Sequence, residues 1–203
     1  MARTPSTQGT VPSAHTPINV YRLAMWKITP ASGSTAESYG SAIDFDKRFM
    51  TFTDSLNIAS GNLYGCGDLT TVVQRPTRGN LNLAIHALKA SERSDILGET
   101  VSSDVATLKG KGDIAPYMVV AIAEELDDGH LNLYKYYKAQ FSQGNISVQQ
   151  SEDGVNFSTT NLNGTYFRNG TVGKMRDIKF DVDPNSDEGS AALEAWFTTA
   201  VPS

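Results

Sequence analysis

The sequence predicts a mainly β protein, an antiparallel sandwich or barrel-like fold with a short helix mid-chain and a second helix near the C-terminal end. Three observations predict it. Short runs rich in β-branched and aromatic residues recur between turn-forming clusters. Asp127-Asp128-Gly129-His130 sits between two such runs and reads as a hairpin turn. Helical periodicity is confined to residues 90–97 and 187–199.

The elements follow in order. Residues 1–17, MARTPSTQGTVPSAHTP, hold almost no apolar anchor and read as a flexible arm, leaving 18–203 as a single domain. Residues 19–29 form the first strand, apolar on both faces and ended by Pro30. Residues 30–42, PASGSTAESYGSA, read as one long loop, well beyond the roughly 2–5 residues of a hairpin connection. Loops of that length are usually functional or ordered by a partner.

Residues 48–58 alternate, with Met50, Phe52, Leu56 and Ile58 on one face and Asp54 as the exception. Residues 69–74 are β-branched. In 81–88, Leu81, Leu83, Ile85 and Ala87 face one way, while Asn82, Ala84 and His86 face the other. Residues 117–123, YMVVAIA, are continuously apolar, which predicts a central strand covered on both faces. The hairpin turn returns the chain into LNLYKYYKAQF, and Ile178, Phe180 and Val182 alternate in a last strand.

The first helix takes Ser91 as its N-cap and Gly98 as its C′ residue. The second follows Pro184 and carries Leu193, Trp196, Phe197 and Ala200 at i, i+3, i+4 and i+7. That stripe has to dock, because an exposed Trp-Phe pair is sticky. No internal repeat is visible.

Charge and composition exclude several classes. The 203 residues carry a net charge of −5, and residues 101–203 alone carry 8 basic and 14 acidic side chains. An acidic chain without a basic block argues against a nucleic-acid clamp. No stretch approaches the ~20 apolar residues of a membrane span, and the first 13 residues have no apolar block of the secretory kind. A single cysteine, Cys66, rules out an internal disulfide and makes a thiolate zinc cage implausible.

Catalytic signatures are scarce. His15, His86 and His130 read as scattered surface histidines, and Cys66 has no local base to activate it. The glycines near 61–67 and 110–112 lack the spacing of dinucleotide or phosphate loops. Asp181, Asp183, Asn185 and Asp187 imitate a calcium loop, but Ser186 stands where a Gly belongs and Ala192 where a bidentate Glu belongs. The competing reading is a strand end followed by an acidic helix N-terminus.

Glu124, Glu125, Asp127 and Asp128 crowd one hairpin, as a solvated edge or a negative rim that repels phosphate. Asn145, Asn156, Asn163 and Asn169 lie in glycosylation sequons, which here reflect composition. No cofactor is expected.

Read together, GDLTTVVQRPTRGNLNLAIHALKASERSDILGE, the 117–141 hairpin, KMRDIKFDVDP and the AWFTTAVPS ending resemble the major tail protein (tail tube subunit) family of long-tailed siphophages. The resemblance covers roughly residues 58–201 and rests on the order of weak motifs. It implies a β-sandwich with a flanking helix, six copies per ring, and rings stacked into a tube through which DNA leaves the capsid. It also implies no catalytic residues, assembly in the bacterial host cytoplasm, a place in the virion tail and no membrane association. The implied partners are further copies of the chain, the tape measure, the tail terminator and the baseplate. DNA would pass the lumen without specific binding.

On this reading Glu124, Glu125, Asp127 and Asp128 are lumen-charge candidates. Pro5, Val11, Pro12, Tyr39, Trp196 and Phe197 are candidates for contacts between subunits. The alternatives are a carbohydrate- or receptor-binding virion module using Tyr134, Tyr136 and Tyr137, the tube protein of a contractile secretion system, and last a small hydrolase.

Overall fold

A computed structural model describes residues 15–45, 47–65, 68–103, 106–108, 110, 112–144 and 159–201. Pro5, Val11, Pro12, Cys66, Asn145 and Asn156 lie outside them. Strands β1 (Pro17–Thr29), β2 (Ser38–Asp44), β3 (Phe49–Gly65) and β4 (Asp68–Ile85) come first, followed by α1 (Ala90–Leu97). Then come β5 (Thr100–Ser103), β6 (Ala106–Leu108), β7 (Tyr117–Leu126), β8 (Leu131–Gln143), β9 (Thr160–Tyr166), β10 (Arg176–Val182) and α2 (Asp187–Thr198).

The main sheet is antiparallel and runs β2-β1-β7-β8-β9-β4-β3, with β10 added to β8. β5 and β6 form a separate small pair. The 13-residue β8 is shared along one edge. Its residues 131–136 pair with β10, and residues 139–143 pair with β9. Two sheet portions therefore diverge from one strand, which produces the sandwich-like layering.

The apolar run of β7 behaves as its composition demands. Residues 118–123 are all fully buried, because both faces of the β1-β7-β8 centre are covered. One face supplies Leu23, Met25, Val120, Ile122 and Tyr136 to a core shared with Leu81, Leu83, Ile85 and Leu162 of the diverging strands. The other face, with Ala24, Trp26, Ala121 and Leu133, lies beneath Trp196 and Phe197 of α2.

Both helices form where periodicity places them. Gly98 closes α1 in the left-handed conformation at φ 70°. Lys89, not Ser91, occupies the N-cap position, and its backbone N–H donates to Glu92 at 2.9 Å. Ser186 caps α2 by accepting from the Gly189 N–H at 3.0 Å.

Three boundaries differ from expectation. The loop assigned to 30–42 ends at Glu37, since residues 38–44 pair with β1 as β2, Ala42 opposite Trp26 and Tyr39 opposite Ile28. The arm assigned to 1–17 loses its last residues: Pro17 begins β1, and the Thr16 carbonyl accepts from the Asp127 N–H at 3.0 Å. The separate runs at 69–74 and 81–88 are one strand, β4, continuous through Pro76 and Gly79. Pro76 is tolerated because, among the described residues, this part of β4 has only β3 beside it, so no ladder on the far side needs its missing N–H.

Candidate functional site

The two-stranded overhang of β3 and β4 is the first feature of functional interest. The β9 ladder stops at Gly79, but the β3–β4 register continues from Asn57 opposite Arg78 to Gly65 opposite Asp68. Beyond Gly79 the hairpin has no third strand among the described residues. Ile58, Leu63, Val72 and Val73 are about half exposed or more along it, at 55%, 63%, 48% and 47%. A two-stranded ribbon with apolar residues on its surface is marginal alone. Among the described residues, β2 and β3 end the sheet without a further strand beside them.

The second feature is where the acidic hairpin residues go. Gly129 adopts φ 84°, which lets the β7–β8 turn close with Asp127 and Asp128 at its tip. Glu124 accepts from the Tyr134 hydroxyl at 2.9 Å and from the Asn132 amide at 3.3 Å. Glu125 accepts from Asn19 at 3.3 Å. These lumen-charge candidates are therefore hydrogen-bonded within the subunit and do not form a bare rim.

The same turn gathers two of the three histidines, which corrects their reading as scattered residues. His15 places Nδ1 3.0 Å from Asp127 Oδ1 and Nε2 3.2 Å from Asp128 Oδ2. His130 places Nδ1 2.6 Å from Asp181 Oδ1 and 3.4 Å from Asp128 Oδ2. The ring centroids are 6.4 Å apart. The Asp181 hydrogen bond, reinforced by the charges of Asp128, Asp181 and Asp183, raises the His130 pKa above its usual value. Desolvation opposes ionisation of Asp128, yet the His130 N–H and the two histidines together hold its carboxyl below the usual range.

Asp181 lies in this cluster, beside His130. It takes φ 59° at the end of β10, where its N–H donates to Asn132. Asp183 Oδ1 accepts from the Asn185 N–H at 2.9 Å, and the Asp183 carbonyl accepts from Ser186 Oγ. These bonds build the turn into α2. Among the described residues, no metal-compatible group unites Asp181, Asp183 and Asp187.

The third feature lies under α2. Trp196 and Phe197 are buried against the subunit's own sheet, so these contact candidates have no surface left for a neighbour. Trp196 Nε1–H donates to the Tyr134 carbonyl at 3.2 Å. Lys135 is completely buried there, its Nζ donating to the Thr199 carbonyl at 2.6 Å and lying over Trp196 and Trp26 at 4.9 and 5.4 Å from the ring centroids. Burial pushes its pKa down from 10.5 to about 8. A cavity of about 380 Å³ opens beside it, lined by Lys174, Asp177, Lys179 and Ala192.

Other side chains have structural duties. Tyr39 donates to Glu37 at 2.6 Å, and Glu37 also accepts from the Asn169 amide. Asn169 is fully buried and further bonded to the Tyr137 carbonyl and the Thr171 N–H, which makes it a structural amide. Tyr136 and Tyr137 are buried and Tyr134 is partly covered, so these rings form no platform for a sugar. Arg176 pairs with Asp54, which also accepts from Tyr166 at 2.7 Å and explains the polar exception in the 48–58 alternation.

No family model matches the chain, and no curated protein matches it. Among solved structures it is similar to a chain of the cryo-EM structure of the anti-feeding prophage (AFP) baseplate, 6-fold symmetrised. The TM-score is 0.35 at 10% identity, over 88% of this chain and 97% of that one. A likeness at that level assigns the chain to no family. Among the described residues no helix is long and apolar enough to cross a membrane.

Proposed function

We propose that this protein is a structural subunit of a virion tail, without enzyme activity, that assembles into six-membered rings stacked as a tube for DNA. The observation that carries the reading is the β3–β4 overhang. It extends past the end of the β9 ladder at Gly79 and exposes Ile58, Leu63, Val72 and Val73. A neighbouring copy would cover those residues and offset the ordering cost of the ribbon. The open edges of β2 and β3 support the same reading, because ring closure can pair edges that one subunit leaves free. The siphophage tail-tube resemblance supplies the ring number, the passage of DNA, the virion location and the tape measure, terminator and baseplate partners. The surplus of acidic residues after residue 100 suits a wall that repels phosphate.

Electron microscopy and sedimentation of the full chain test this directly. Rings or tubes are expected, and a strict monomer at high concentration refutes the proposal. In the double variant Leu63→Asp/Val72→Asp the circular dichroism should be unchanged and assembly lost. Normal tubes from that variant would exclude the overhang as the contact.

A further inference from the structure

The start of β1 is held to the subunit mainly by polar contacts. Pro17, Ile18 and Asn19 are exposed and Val20 is half-buried, so the first fully buried residue of the strand is Leu23. The β1–β7 register shifts twice over this stretch, between Pro17 and Asn19 and again between Val20 and Arg22. Side chains therefore supplement a broken ladder. The Thr16 N–H donates to Asp127 Oδ1 at 3.3 Å, Asn19 donates to Glu125, and His15 reaches two carboxylates. The end of β10 is similar. Phe180 is exposed, the register on β8 shifts between Lys179 and Val182, and the Asp181 N–H donates to Asn132 at 3.2 Å.

Asp127, Asp128 and Asp181 lie between these two loose ends, with His15 and His130 as their counter-charges. Glu125 on β7, Asp183 in the turn into α2 and Glu188 on α2 add negative charge around them, and Lys179 on β10 a positive one. Among the described residues, no lysine or arginine bridges to Asp127, Asp128 or Asp181. Two imidazoliums leave one of those three charges uncompensated, and neutral rings leave all three.

His15 shows which state the geometry takes. Its Nδ1 is 3.0 Å from Asp127 and its Nε2 3.2 Å from Asp128. A neutral imidazole carries one N–H, so at one contact a lone pair would face an anion. Only the imidazolium makes both contacts hydrogen bonds. His130 Nδ1 meets Asp181 at 2.6 Å, at the short end expected of a charge-assisted bond.

We propose that His15 and His130 form a proton-operated latch, which clasps the start of β1 and the end of β10 to the β7–β8 turn and releases residues 15–20 when the protons leave. The raised pKa of His130 sets the sense. A proton held more tightly in the folded chain stabilises the clasp fully below the ordinary histidine pKa of about 6.5. That contribution disappears as pH rises through the higher folded value. Asp128, held below its ordinary range, keeps its side of the latch charged in mild acid. The latch is thus closed in mildly acidic solution and open in alkaline solution. It acts within one subunit, independently of assembly, and decides whether the chain ahead of His15 leaves from a fixed point.

Amide hydrogen exchange of the full chain at pH 5.5, 6.5, 7.5 and 8.5, corrected for intrinsic rates, tests this. Ring nitrogen NMR shifts on the same samples report the protons on each histidine, and at pH 5.5 both His15 nitrogens should carry one. Between pH 5.5 and 8.5 the Thr16, Asp127 and Asp181 amides should lose protection roughly 10-fold, the scale of one charge-assisted hydrogen bond. Met25 and Val120, buried in the central strands, should keep theirs. In His15→Gln the Thr16 and Asp127 amides should exchange fast at every pH, while Met25 still reports a folded sheet. His130→Gln should do the same at Asp181. Protection of Thr16 and Asp127 that stays flat while the rings titrate would overturn the latch. So would protection in His15→Gln equal to that of the wild type.

Discussion

Replacing Lys135 with methionine tests the burial of an ammonium between two tryptophans. Lys135 has no exposed surface, and its pKa falls from 10.5 to about 8. The folded chain therefore releases that proton first, and between pH 8 and 10.5 the unfolded chain holds more protons. Stability then rises with pH at up to about 1.4 kcal/mol per unit. From pH 7 to pH 10 the gain is about 2.5 kcal/mol, and about 1 kcal/mol if water in the neighbouring cavity screens the charge.

Raised tyrosine pKa values work in the opposite direction. Tyr39, Tyr134, Tyr136, Tyr137 and Tyr166 are desolvated and, apart from Tyr39 beside Glu37, face Asp54, Glu124 or Asp177, so they keep their protons above pH 10 while the unfolded chain loses them. That loss is common to wild type and Lys135→Met, so the difference between the two isolates Lys135. Urea unfolding followed by far-ultraviolet circular dichroism at pH 7, 8, 9 and 10 measures it. The wild type should gain on the variant across this range. Parallel pH profiles for the two proteins would refute the buried ammonium.

Trp196→Ala should cost about 3–5 kcal/mol in the same assay, since it empties the contact between α2 and the β1-β7-β8 face and removes the bond to the Tyr134 carbonyl; a loss below about 1 kcal/mol would mean α2 is not docked as described. Gly79→Ala should cost about 1–3 kcal/mol, because an added Cβ would lie 2.2 Å from Tyr166 Cζ and displace the ring that donates to Asp54. An unchanged urea midpoint would show that the ring moves freely.

Local patterns made much of the fold legible. The unbroken apolar run of β7 announces cover on both faces, and the i, i+3, i+4, i+7 stripe locates the docking side of α2. Both are readable because cause and effect lie within one turn or one strand. The cluster at the β7–β8 turn has no such signal. His15 meets Asp127 across 112 residues and His130 meets Asp181 across 51, and no spacing rule connects them. Lys135 carries no local signal for a related reason: its cover comes from Trp196 and the Thr199 carbonyl, which α2 brings back from more than 60 residues further on. At Pro76, the rule that proline ends a strand gives way because, among the described residues, β4 there has one partner and needs no second ladder.

The shared edge of β8 has a mechanical consequence. β10 and β9 attach to consecutive stretches of one backbone, and the junction is closed by Tyr137 N–H to the Met175 carbonyl and Phe167 N–H to the Lys138 carbonyl. Tension on the β3–β4 overhang passes through β4 and β9 into β8, and tension on the β10 end enters the same strand from the other half. β8 then hands both loads to β7 through an antiparallel pairing that runs from Tyr117 to Glu125, with one register shift between Met118 and Val120. That pairing is pulled in shear, where many hydrogen bonds resist together. The subunit would thus yield at its rims, in the overhang or at α2, well before its central three strands separate.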